Sequence, residues 1–145
     1  MSRNVLAALG AAFLVLLVLP ATGGARNRNS ALNGVYRVSF TEKELLAGGA
    51  KPGYARNQTG VTTLTFRDGR YVFLERNRLS IPGGCRGSYE LRGKRIFADL
   101  NVKGCHGTLR AAWSLRNGWL RLSDIVVEES GDPVFWESKP WKKIG

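Results

Sequence analysis

The chain has 145 residues, with 22 Lys and Arg against 11 Asp and Glu and a formal net charge of +11 at pH 7. That length supports one domain around one core, and the charge favours anionic partners such as lipid headgroups, wall polymers, nucleic acid or acidic glycans. One histidine and two cysteines are too few for a histidine-rich metal site.

Residues 1–25 read as a secretory signal peptide. Arg3 supplies a positive end, Val5 to Leu19 is apolar, Pro20 stops the run, and Ala21, Thr22, Gly23, Gly24 and Ala25 are small. This is the order of n-region, apolar core and cleavage site. The apolar run is shorter than the roughly 20 residues a spanning helix needs. Cleavage near Ala25 removes only Arg3 from the charged residues, so the exported part stays strongly basic. A secreted, periplasmic or extracellular location follows as an expectation.

Polar residues 26–31 are expected to form a flexible linker, and the domain is expected over 32–145. From Leu32 onward the dominant period is two. Tyr36, Val38 and Phe40 share one face of a first strand. Thr41-Glu42-Lys43-Glu44 fits a capping box, which predicts one short helix, stopped at Gly48-Gly49, between the first strands. Lys51 to Thr59 is a loop or a second short helix. Thr62, Leu64 and Phe66 alternate before Asp68-Gly69, a strong hairpin turn, and Tyr71 and Phe73 lie on the return strand. Glu75 to Gly84 reads as a polar loop. Gly87, Tyr89 and Leu91 share a face, Arg92-Gly93 turns the chain, and Ile96, Ala98 and Leu100 form the next inward set. Leu109, Ala111, Trp113 and Leu115 alternate up to a second strong hairpin, Asn117-Gly118. Leu120 and Leu122 follow, then an acidic loop from Glu128 to Asp132. Val134, Phe135 and Trp136 read as a last strand before a basic tail, Lys139 to Lys143.

About eight strands joined mainly by tight turns predict an all-β, antiparallel up-and-down meander. Closure into a barrel removes its exposed edges. Eight strands enclose an interior that side chains can fill or that holds one small ligand. Tyr36, Phe40, Phe66, Phe73, Tyr89 and Trp113 are expected inside, and Trp136 joins them in one register. They are the candidate ligand-binding residues, with the tyrosine hydroxyls as polar anchors.

Gly34-Val35-Tyr36, followed by a capped helix and a hairpin meander, resembles the Gly-x-Trp opening of lipocalins, with Tyr36 in place of the tryptophan. The resemblance implies a calycin-type barrel and a late arginine packed over the opening aromatic, with Arg121 as the candidate. Cys85-x-Gly-x-Tyr89, Cys105-His-Gly-Thr, Trp113-Ser-Leu and Lys139-Pro-Trp-Lys-Lys are similar to segments of small secreted bacterial domains. Some of those are associated with extracellular solute-binding proteins.

In an oxidising compartment Cys85 and Cys105 are expected to form a disulfide. Neighbouring strand side chains diverge, so Cys105 and His106 make a poor nucleophile–base pair. Gly87-Ser88-Tyr89 lacks the pattern of a nucleophile elbow. No Gly-rich phosphate loop opens a helix, and Glu128, Glu129 and Asp132 lack the spacing of a calcium loop. The expectation is a non-catalytic, monomeric binding module without cofactor or metal. It holds a small apolar ligand or docks to a solute-binding partner. The alternative is a basic envelope protein attached to an anionic cell-surface polymer or membrane. Nucleic acid is not expected, since no recognition motif accompanies Trp119 and Arg121. An enzyme would need His106 beside Asp99 or Asp124.

Overall fold

The computed structural model describes residues 28–78, 84–99, 107–128 and 133–145. A short 3-10 helix, Arg28–Leu32, precedes β1 (Gly34–Phe40). Two short helices follow, α1 (Glu42–Ala47) and α2 (Pro52–Gln58). Then come β2 (Gly60–Arg67), β3 (Arg70–Arg76), β4 (Cys85–Arg92), β5 (Arg95–Asp99), β6 (Thr108–Arg116) and β7 (Trp119–Glu128). A third helix, α3 (Pro133–Glu137), leads to a final short strand, β8 (Trp141–Lys143). Every strand pairs antiparallel with its neighbour in sequence, and β8 pairs with β1 to close an eight-stranded barrel. The expected all-β up-and-down barrel is therefore the observed architecture.

The alternation of the sequence is what places the core. Tyr36, Val38 and Phe40 on β1, and Thr62, Leu64 and Phe66 on β2, are buried while the residues between them face outward or lie at intermediate depth. Both strong turns are two-residue connections with positive φ at each central residue. The angles are 46° and 85° at Asp68 and Gly69, and 50° and 76° at Asn117 and Gly118. That is the requirement of the hairpin turn whose twist matches the strands.

Up-and-down order sorts the connections by length. Tight hairpins and the 3-10 helix gather at one end. The other end, called the mouth here, carries α1, α2 and α3, together with the ends of β3 and β5 and the starts of β4 and β6. Thr41 caps α1 as expected. Its amide donates to Glu44 Oε2 at 2.9 Å, and the Glu44 amide donates to Thr41 Oγ1 at 3.2 Å.

Three expectations change and one open choice is decided. Val134, Phe135 and Trp136 are not a strand; they lie in α3, which begins at Pro133. Proline's fixed φ suits a first helical turn. The eighth strand is instead Trp141–Lys143, inside the expected tail. Of the two readings of residues 51–59, the second short helix is the one observed, opened by Pro52 after α1 has ended. Residues 28–31 of the expected linker belong to the 3-10 helix. Asn29 anchors it by accepting the Leu91 amide at Oδ1, 2.9 Å away. Finally, the chain stays extended to Arg76, so the polar loop begins later than Glu75. Cys105, His106, Leu100 and acidic residues 129–132 lie outside the described residues.

Candidate functional site

All seven candidate interior residues are buried or partly buried, but the barrel divides them into separate groups. Near the hairpin end, Tyr36 meets Phe66 edge-on with ring centres 6.0 Å apart, and Phe66 meets Tyr89 at 4.7 Å. The tyrosine hydroxyls are already engaged. Tyr36 Oη donates to the Leu32 carbonyl at 3.0 Å, and Tyr89 Oη donates to the Asn29 carbonyl at 2.6 Å. Burial pushes the Tyr36 hydroxyl up to about 12 and raises Tyr89 as well. These hydroxyls tie the 3-10 helix across the end of the barrel rather than standing ready for a ligand.

Near the mouth, α3 inserts Phe135 between Phe40, at 4.9 Å, and Phe73, at 6.1 Å. Trp136 is only partly buried. It leans on Phe73 at 5.0 Å and stacks on Trp141 at 5.7 Å with an 18° tilt. Trp141 is fully buried and was not among the expected interior residues, because a single aromatic in a basic tail shows no periodicity. Glu75 follows Tyr71 and Phe73 on the same face of β3. Burial raises its carboxyl, opposed by a hydrogen bond with Asn77. Asn77 Nδ2 in turn donates to Gln58 Oε1 at 2.8 Å, which fixes a small polar cluster under α2.

Trp113 stands apart from both clusters. The Lys94 ammonium sits 4.3 Å from its ring centre. The indole nitrogens of Trp113 and Trp141 are buried without a hydrogen-bond partner among the described residues. Arg121 does not cover the aromatic of the first strand; it faces outward on β7. The cation over Tyr36 is Lys143, 5.8 Å from the ring centre and donating to the Asn33 carbonyl at 2.8 Å.

The outer wall holds a different constellation. Register aligns Arg116 on β6 with Trp119 on β7, Trp119 with Lys142 on β8, and Lys142 with Arg37 on β1. All four side chains are exposed, and Trp119 keeps 46 % of its surface. Neighbouring strands lie about 4.8 Å apart, so the row spans roughly 14 Å. Arg121 extends it along β7. Arg56, Arg92, Arg110 and Lys139 pair with carboxylates, and none of them belongs to the row. Like charges directly opposite one another in a sheet destabilise it. Lys142 against Arg37 is such a pair, with no carboxylate pairing with either among the described residues.

For catalysis, Asp99 and Asp124 sit on β5 and β7 with β6 between them. No cluster of three metal-ligating His, Cys, Asp or Glu side chains occurs among the described residues. Cys85 opens β4 opposite Phe73, and no described cysteine is free. No described helix is long and apolar enough to cross a membrane. Comparison with protein-family models, curated proteins and solved structures finds no match to this chain.

Proposed function

We propose that this protein is an exported, non-catalytic binding barrel whose working surface is its outer wall, attached to anionic material. The observation that carries this reading is the row Arg116, Trp119, Lys142 and Arg37, exposed and with no carboxylate partner among the described residues. Such a row concentrates positive potential on one side of a molecule that is already strongly basic. Export is supported by the order of residues 1–25, and kinship with lipocalins by the up-and-down eight-stranded barrel.

The interior supports a ligand less well. Two tyrosine hydroxyls are occupied by backbone carbonyls, and Phe135 fills the space between Phe40 and Phe73.

The test is retention on immobilised polyphosphate. The protein should bind at low salt and elute before about 1 M, where the screening length falls to about 3 Å. Arg37→Ser with Lys142→Ser should elute at clearly lower salt. Arg70→Ser with Arg95→Ser removes equal charge from β3 and β5, beyond the row, and should shift elution less. Retention that ignores salt would sink this reading. Weight would then return to a small, partly apolar ligand held by the partly buried Trp136 against Phe73, or to a protein partner of the solute-binding type.

A further inference from the structure

Charge alone gives no use for the apolar groups in this region. Among the described residues, the exposed large apolar side chains are Leu46, Leu74, Trp119, Val126 and Ile144. Single ones are normal on any surface. Trp119 and Ile144 differ because they fall together. Trp119 pairs with Lys142, and Ile144 lies two residues further along the same extended segment, whose amide donates to the Val35 carbonyl at 2.7 Å. That is the diagonal relation, within reach across a sheet at roughly 7–8 Å. Each keeps 46 % of its surface. Both stand at the hairpin end, beside the Asn117-Gly118 turn, with Arg116, Lys142, Arg37 and Arg121 around them.

A hydrated polyanion gains from the cations but little from an isoleucine. A bilayer interface uses both. Indole settles at headgroup depth, aliphatic carbons enter the acyl boundary, and each Lys or Arg near an anionic leaflet adds attraction. We propose that Trp119 and Ile144, ringed by Arg37, Arg116, Arg121 and Lys142, form a wedge that enters the interface of an anionic phospholipid bilayer. This rests on the anionic-surface reading above and names the surface.

The experiment uses the full chain with vesicles of phosphatidylglycerol and phosphatidylcholine, of phosphatidylcholine alone, and with soluble polyphosphate. Residues 5–19 are common to every variant, so differences between variants report the wedge. Bromine on the acyl chains should quench part of the tryptophan emission, and Trp119→Phe should remove that quenched part while vesicle binding persists. Trp119→Ser with Ile144→Ser should weaken binding to the anionic vesicles roughly tenfold, the scale of one apolar side chain returned to water. Its polyphosphate affinity and thermal midpoint should stay those of the parent. The conservative pair Trp119→Phe with Ile144→Leu should keep vesicle binding. Unchanged vesicle binding by the serine pair, or quenching that survives in Trp119→Phe, overturns the wedge. If Arg37→Ser with Lys142→Ser changes neither vesicle nor polyphosphate binding, the anionic-surface reading fails as well.

Discussion

Glu44 joins three parts of the chain. It closes the capping box with Thr41, and its Oε1 accepts Lys139 Nζ at 2.7 Å. Lys139 also donates to the Ser39 carbonyl at 2.6 Å and lies 5.5 Å from the centre of the Phe40 ring. The Lys139 hydrogen bond, with those from Thr41, holds the Glu44 carboxyl at about 2 against an ordinary 4.5. A carboxyl lowered by folding stabilises the fold above its unfolded value and loses that contribution as pH falls through its folded value. Glu44→Gln should therefore melt lower than the parent at neutral pH. The gap should shrink below pH 4.5 and vanish near pH 2, as thermal unfolding across pH will show. At this scale the sequence was partly transparent. A capping box is local, so Thr41 and Glu44 announced themselves. The inward aromatics did too, because period two sorts them by face. The engagement of Tyr89 was hidden, because its acceptor, the Asn29 carbonyl, lies 60 positions away.

Helix α3 shows where period arguments fail. Three apolar residues in a row fit a buried strand or one helical turn equally well, and only Pro133 tipped the balance. β8 failed for the opposite reason: three residues with one inward side chain, Trp141, give too little alternation to read. The register of the barrel then brings α3 and β8 together, so that Phe135 and Trp141 meet at 6.1 Å. Phe135→Ala should cost about 3–5 kcal/mol in denaturant unfolding, the usual range for emptying a buried aromatic site. A loss below about 1 kcal/mol would mean that α3 does not seal the mouth. Cys85 opens β4 at that end. Loop entropy assigns a bridge from Cys85 to Cys105 roughly 3 kcal/mol. Cys85→Ser with Cys105→Ser should lose about that much stability, and reduction should add two hydrogens to the denatured mass of the parent. An unchanged mass would exclude the bridge.

For the whole molecule, class and order of strands could be read from the Asp68-Gly69 and Asn117-Gly118 turns and the alternation between them. The positive row on the wall could not. Arg116 and Trp119 face each other across one hairpin, but Lys142 and Arg37 come from distant stretches, and only the pairing of the last strand with both β7 and the first strand lines all four up. That same pairing sets the order in which the fold can be completed. Each hairpin joins sequence neighbours, whereas the join of β8 to β1 brings together groups such as Lys143 and Asn33, 110 positions apart. Until that join is made, the sheet is an open ribbon with two raw borders, and unsatisfied borders invite other copies to add on. The last strand is short and carries Lys142 and Lys143, and lysine on a border discourages such addition. The tail that completes the barrel is thus also the one that guards it while it is incomplete.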